Sequence, residues 1–578
     1  MSGYAGPSDR PHRRDSARFR SALPCVAAWL LACLIYALTI QTRPAHLDEF
    51  YHLLAGRSWQ QHGNFALLDG QYGRAPLFTI IVGWTFGLFG QSSMLIARLP
   101  SVIFSAISVA ILFQWLRQNG GTGAALVGAS LFALAGYTFD IAHFARFYAF
   151  HSMLVLIATA ALSLTIRTDG QVNPHWAILA AASLVLAFLQ QPVTVIAILG
   201  LAGWLLFDQR VRLMAYVRDH RIVSALLACA VLVGAMLTLP ILTGLADRYG
   251  RAERWAAATQ DDPLYYLREF FGQMPLITLF LPVALILAIR AHSRLGLLCA
   301  FMIGLCLLLQ SFAGMKAWRY VYYLFPFICM AYGLATAALL PGNHLAARRS
   351  HVRALLLSAL LFLLLATSPL YRQGARLMLS AAYSMAKKPS AILAPVPDGE
   401  WDRVAPQLRR LAMDHAALVT GDDLRTIAHL GGYTVFISSS RLGELTPSVD
   451  FTPDHRTGRP TIETAEALIA VIDCNPSGMV IVPNRQWRNP MAVAPRVADL
   501  IERRLTPVRS APDLHVFEWR GSKVLRTCPY ARIGAQPRKT AARVFSGTCS
   551  PTRRWLPPLP TQSCPSASLD VAANAGAA

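Results

Sequence analysis

Asp48 and Glu49 stand side by side in the run HLDEFYH, directly after the apolar stretch 21–40. An ionised carboxylate beside hydrocarbon is costly unless it is paired or faces water. A carboxylate kept at that place can act as general base toward an acceptor hydroxyl. An acidic first turn of an interfacial helix accounts for the same pair without catalysis. His46 and His52 flank the acids. The spacing His-x-Asp-Glu-x-x-His matches no zinc signature, so the sequence calls for no metal ligand set here.

Cations follow at places where loop charge alone does not require them. Arg74 stands just before the apolar run 76–89. Asp140, His143, Arg146, Tyr148 and His151 occur in YTFDIAHFARFYAFHSM, and Lys316, Arg319 and Tyr320 in AGMKAWRYVYYLFPF. Guanidinium groups suit bidentate contact with phosphate and a lysine ammonium can pair with it as a point charge, so Arg74, Arg146, Lys316 and Arg319 are candidates for a phosphate or diphosphate site. The competing readings are snorkelling arginines and an aromatic belt, and the belt explains Tyr322 and Tyr323. Gln190 and Gln191 precede Pro192 and either line a cavity or pack between helices.

The elements that must position these residues are apolar. The chain has 578 residues, of which 54% are hydrophobic and 15% charged, with a mean hydropathy of +0.41. Soluble domains carry about 25% charged residues. The expectation is a polytopic α-helical membrane protein. Candidate spans are 21–40, 98–116, 122–137, 149–166, 176–190, 193–207, 222–240, 273–289, 295–311, 320–340 and 354–370. The run 76–89 is short for a span and suits an interfacial helix.

The formal net charge is +22, but its distribution does not suit nucleic acid. The basic excess sits in 1–20, 208–221, 290–294 and 341–353. With eleven spans all four segments share a side with the N-terminus, as the positive-inside rule requires. Residues 41–97 then form one long outer loop carrying the acidic pair, and everything after about 371 lies outside. The basic N-terminus resembles a signal peptide, yet no small-residue cleavage site follows, so an uncleaved first helix is expected.

Beyond a linker at 371–394, residues 395–527 read as a small α/β domain. ALVTG (417–421), TVFIS (434–438), GMVIVPN (478–484) and LHVFEWR (514–520) have strand character. Residues 423–430, TIETAEALIAVI (461–472) and VAPRVADLIERRL (493–505) have helical character. Such alternation favours a partly parallel sheet. GDD (421–423) reads as a strand end followed by a helix cap. The segment 528–578 is rich in Pro, Ser, Thr, Arg and Ala and is expected to be disordered. Ten cysteines form no CxxC motif; Cys474, Cys528, Cys549 and Cys564 fall in the polar part, where a disulfide is possible but no pairing is deducible.

Taken in order, these pieces resemble the GT-C glycosyltransferases, and within them the protein O-mannosyltransferase-like group that includes the aminoarabinose transferase of lipid A. The matching residues are Asp48-Glu49, then RAPLFTIIVGWTFGLFG, then Gly90 through Arg98-Leu99-Pro100, then Ala145-Arg146-Phe147-Tyr148, and last Arg319-Tyr320 with Pro326. The resemblance covers about residues 20–340. It implies a polyprenyl-phosphate sugar donor and transfer with inversion to an acceptor hydroxyl on a lipid, glycan or protein. It also implies a place in the bacterial inner membrane, with the N-terminus cytoplasmic and the C-terminal domain extracytoplasmic. Asp48 would be the base and Glu49 would position it or the neighbouring helix. Arg74, Lys316 and Arg319 would hold the lipid phosphate. No cofactor is required, since arginine and lysine can handle a monophosphate; a divalent metal at the phosphate is the open alternative. Many relatives carry Arg-Pro-Asp where this chain has Arg146-Phe147-Tyr148. The second acid is therefore absent, or its role falls to Asp140 or His151. A transporter or flippase of lipid-linked sugars, or a non-catalytic sensor or scaffold, would use a similar cationic cavity. The absence of repeat symmetry counts against transport.

Overall fold

In a computed structural model the described residues are 11–165, 173–219, 262–313, 315–339, 358–387, 394–445, 449–508 and 514–521, with 222, 229 and 236 singly. The expected span 222–240, apart from those three single residues, and the expected disordered tail 528–578 lie outside them.

Helix α1 (Pro11–Thr39) leads into a loop that holds α2 (Glu49–His62), a two-residue hairpin β1 (Ala66–Leu67) and β2 (Gly70–Gln71), and α3 (Pro76–Phe89). The run 76–89 is thus helical, with Trp84, Leu88 and Phe89 largely exposed. Helix α4 (Met94–Ala133) unites the expected spans 98–116 and 122–137. The joint is Gly121, whose φ of 81° and ψ of 177° break the helix. Short α5 (Gly136–Ala142) precedes α6 (Tyr148–Thr165), α7 (Pro174–Gln190) and α8 (Thr194–Asp208).

Among the described residues, five helices are long and apolar enough to cross a membrane, with windows at Ala22–Thr39, Met94–Ala133, Tyr148–Thr165, Ser293–Ser311 and Tyr322–Leu339. Tyr265–Gln273 and Pro275–Ala291 form a sixth if taken together, bent by 109°. Pro76–Phe89, Pro174–Gln190, Thr194–Asp208 and Ser358–Thr367 are shorter apolar helices. Helix α4 packs along both α1 and Phe325–Leu339, and α6 packs on α7. Residues 369–387, expected as the start of a linker, form a helix.

The C-terminal part builds a seven-stranded sheet in the order β5-β6-β4-β3-β7-β9-β8. Its strands are β3 (Ala417–Thr420), β4 (Val435–Ile437), β5 (Thr452–Pro453), β6 (Pro460–Ile462), β7 (Ser477–Pro483), β8 (Thr506–Pro507) and β9 (Leu514–Arg520). The central run β6-β4-β3-β7 is parallel; β5 pairs antiparallel with β6, β9 with β7 and β8 with β9. The start of TIETAEALIAVI, expected as helix, is strand β6; the helix itself runs Ala465–Cys474. Thr464 explains the break, because as N-cap its side chain accepts from the Ala467 N–H. One face of the sheet has its own core around Val419, Val471, Val480 and Ile501. Residues of the other face, among them Leu418, Phe436, Met479 and Ile481, belong to the core of the helical part.

Candidate active site

The acidic pair is divided by the fold. Glu49 opens α2 and is 0% exposed, with Oε1 accepting from Arg98 Nε at 2.8 Å and the Ala145 N–H at 2.8 Å. Its Oε2 accepts from Arg98 Nη2 at 2.7 Å and the His46 N–H at 2.8 Å. Arg98 donates its remaining N–H groups to the carbonyls of Ile40 (2.9 Å), Arg43 (3.0 Å) and Pro44 (3.0 Å). A guanidinium has five donors, and here all are used. The Glu49–Arg98 pair therefore knots together the end of α1, the start of α2, the first turns of α4 and the approach to α6.

The Asp48 side chain takes no part in this knot. Its Oδ2 lies 3.4 Å from Arg319 Nη1 and 3.9 Å from His46 Nδ1, and its side chain stays 26% exposed. Arg146 Nη1 donates to the Asp48 carbonyl at 3.1 Å and to the Tyr72 hydroxyl at 3.0 Å. The Nε groups of Arg146 and Arg319 are buried without a hydrogen-bond partner among the described residues. The Arg319 guanidinium sits 6.0 Å from the Tyr148 ring centre and 5.7 Å from that of Tyr320. Arg74 is exposed and lies 5.3 Å over Phe147. Ala75 beside it has φ 51° and ψ 57°, a left-handed turn uncommon for a residue with a Cβ, which starts α3. Lys316 is buried just before the turn Trp318–Tyr320 that carries Arg319 and Tyr320.

Burial raises the Asp48 carboxyl, but the guanidiniums of Arg146 and Arg319, with His46 and Arg74, outweigh it and hold the group below the usual carboxylate range. Burial lowers His46, and its neighbouring arginines add to this against Asp48 and Glu49, so the imidazole is neutral at pH 7. A depressed carboxyl stabilises the folded chain above its unfolded value and loses that contribution only as pH falls through the folded value. The acid limb of any activity that needs ionised Asp48 is therefore expected below about pH 4, the ordinary range for aspartate. In Arg319→Met that limb moves to higher pH. A limb near neutrality in the wild type would count against Asp48 as the titrating group.

The other expected site residues each make a contact away from the Asp48 carboxylate, while His52 Nε2, His143 Nδ1 and Gln190 Nε2 are buried without a hydrogen-bond partner among the described residues. Asp140 pairs with Arg43 and accepts from Gln373 Nε2 at 3.1 Å. His143 Nε2 lies 3.0 Å from both the Thr39 hydroxyl and the Tyr36 carbonyl, at the end of α1. His151 Nε2 lies 2.9 Å from the Thr194 hydroxyl, its ring edge-on to Tyr323. His52 Nδ1 lies 2.8 Å from the Thr79 hydroxyl and joins α2 to α3. Gln190 Oε1 accepts from the Phe78 N–H at 3.3 Å. Tyr51 and Tyr72, which the sequence did not single out, stack 4.7 Å apart beside Arg146. Neither has a motif of its own; only the contact with Arg146 marks them. Among the described residues no group of three or more His, Cys, Asp and Glu is arranged to hold a metal ion.

Residues 73–240 match the family model of the dolichyl-phosphate-mannose-protein mannosyltransferases. Two crystal structures of ArnT from Cupriavidus metallidurans, one bound to undecaprenyl phosphate and one apo, are similar with TM-scores of 0.56. They share 15% and 16% identity, covering 86% and 87% of this chain and 98% of theirs. The chain has the GT-C fold. A second GT-C protein, the oligosaccharyltransferase AglB from Archaeoglobus fulgidus with an inhibitory peptide and a dolichol-phosphate, aligns with a TM-score of 0.52 at 10% identity. That alignment covers 80% of this chain and 69% of AglB. No protein of curated function matches the sequence. Within the GT-C fold the matched segment includes Arg74 and Arg146 but begins after Asp48.

Proposed function

We propose that the chain is a membrane glycosyltransferase that moves a sugar from a polyprenyl-phosphate donor to an acceptor hydroxyl with inversion. The observation that carries this reading is Asp48 held by two arginines, Arg319 3.4 Å from its carboxylate and Arg146 on its carbonyl at 3.1 Å, each with a buried Nε that has no hydrogen-bond partner among the described residues. The acceptor oxygen forms a bond to the anomeric carbon as the bond to the phosphate oxygen breaks. Asp48 takes the hydroxyl proton, and the electron pair leaves with polyprenyl phosphate. Arg319, Arg146, Arg74 and Lys316 stabilise the charge that develops on the leaving group. Tyr320 and Tyr148 flank Arg319, and His46 stays neutral beside the base. Glu49 acts through Arg98 to hold the loop in place.

Cys474 is disulfide-bonded, and such bonds persist in oxidising compartments, which supports an extracytoplasmic place for the C-terminal sheet. The test uses purified protein in nanodiscs with radiolabelled polyprenyl-phosphate sugars and a membrane extract as acceptor. Transfer to a new product is the expected result. Lipid bound without transfer from any donor would move the reading to transport or sensing. Arg319→Met is expected to weaken binding of undecaprenyl phosphate roughly tenfold to a hundredfold, the range of one charge-assisted hydrogen bond. Unchanged binding would remove Arg319 from the phosphate site.

A further inference from the structure

The C-terminal sheet reaches the centre through a six-residue loop, 454–459, between β5 and β6. Two hairpin turns interlock there. The Asp69 N–H, in the turn between β1 and β2, donates to the Thr457 carbonyl at 3.0 Å, and Arg459 Nε pairs with Asp69 at 3.0 Å. A Cβ on Gly70 would stand 2.5 Å from the Arg456 carbonyl oxygen, and one on Gly458 would stand 2.7 Å from Asp69 Cβ. Glycine at both places lets the backbones touch.

This contact delivers Arg456. Its guanidinium is buried and lies 5.2 Å over the Tyr51 ring, within the range of a cation–π contact. Arg146 lies 5.8 Å from the same ring centre. Tyr51 stacks on Tyr72, whose hydroxyl accepts from Arg146, and Arg146 in turn donates to the Asp48 carbonyl. The path Arg456, Tyr51, Tyr72, Arg146, Asp48 is thus continuous. Arg456 is held from behind: Nη2 donates to Asp423 at 2.7 Å and to Asp454 at 2.9 Å, and Nε donates to Asp454 at 3.2 Å. Asp454 also pairs with Arg441 Nε at 2.9 Å, and Arg441 pairs in turn with Glu444. Burial pushes the Arg456 guanidinium down, and the Asp48 carboxylate opposes this.

Open α/β sheets commonly bind ligands at the carboxyl ends of their strands. Here Asp422 and Asp423, at the carboxyl end of β3, face the chain's own first loop instead. Arg425, paired with Asp422 and Asp398, donates to the Ala45 carbonyl at 3.1 Å, and Asp423 anchors Arg456.

We propose that Arg456 is a positioning residue of the Asp48 centre, supplied by the C-terminal sheet to hold the Tyr51–Tyr72 stack and, through it, Arg146 against Asp48. This rests on Asp48 as the base. The clamp and the positioning role separate in two variants of the full-length protein. Arg456→Met removes the charge over Tyr51, whereas Arg459→Ala removes only the pairing with Asp69. Arg456→Met is expected to lower kcat roughly tenfold to a hundredfold, the scale of a misplaced catalytic group. Binding of undecaprenyl phosphate weakens less than turnover, since Arg146 is displaced but not removed, and the acid limb of kcat/KM moves to higher pH because a cation near Asp48 is gone. Arg456→Lys is expected to keep the limb close to its wild-type position. Arg459→Ala is expected to leave both kcat and the limb unchanged.

The proposal is overturned if Arg456→Met keeps the wild-type limb and turnover, or if Arg459→Ala reproduces its profile. If Arg456→Met does not accumulate as folded protein, Arg456→Lys decides. Its charge is intact but its planar stacking is lost, so a fall in kcat with the limb in place supports positioning, and wild-type kcat refutes it. Turnover in Asp48→Asn would sink the base assignment itself, which an effect at Arg456 alone cannot do.

Discussion

Asp48→Asn is expected to lower sugar transfer by roughly 10²–10⁴-fold, the usual contribution of a positioned general base. The amide is nearly isosteric, and Asp48 makes no side-chain cap to α2, so the helix start should survive. Binding of undecaprenyl phosphate is expected to hold or to tighten. The variant removes a negative charge beside the cations and frees the Arg319 Nη1 that now faces Asp48 at 3.4 Å. The informative result is the split: turnover lost, lipid retained. A variant that transfers sugar at the wild-type rate would end the role of Asp48 in proton transfer. Loss of lipid binding together with turnover would instead point to a structural effect.

The second large effect concerns Glu49 and Arg98. Their side chains are 0% and 1% exposed, and every donor of the guanidinium is engaged. Removing one partner leaves an unpaired buried charge, which costs about 3–5 kcal/mol. Glu49→Ala and Arg98→Ala are each expected to lower the melting temperature of the purified protein strongly, read by tryptophan fluorescence in detergent. The double variant is expected to lose less than the sum of the single losses, because neither charge is then orphaned. Additive losses, or a single variant that melts with the wild type, would contradict the coupling.

The parts of this molecule legible from residues alone are those that depend on local pattern. Apolar length marked most of the helices, and strand propensity marked β3, β4, β7 and β9. The short strands β5 and β6 escaped because each has only a few residues and pairs through a turn. The break at Thr464 was hidden inside an apolar run that also suits a helix. At the site, HLDEFYH drew attention to both acids, but only the family resemblance, not the residues themselves, divided their work. That division depends on Arg98, 49 positions along the chain, curling back onto the loop. The partner of Asp140 was not legible either, because Arg43 meets it only across space. Arg456 could not be foreseen, since its effect passes through a stack of rings contributed by a distant segment.

The interlock of Gly70 with Gly458 also bears on biogenesis. The turn at Asp69 is made early in synthesis, while its partner Thr457 follows nearly 390 residues later. At about 5–20 residues per second that interval is roughly 20–80 s. Throughout it the first loop lacks its lid of late-made chain, and Tyr51 lacks Arg456. The centre is thus completed only once the whole helical part has been threaded and the sheet has closed over it. Order of synthesis becomes a timer that withholds chemistry from a half-inserted chain.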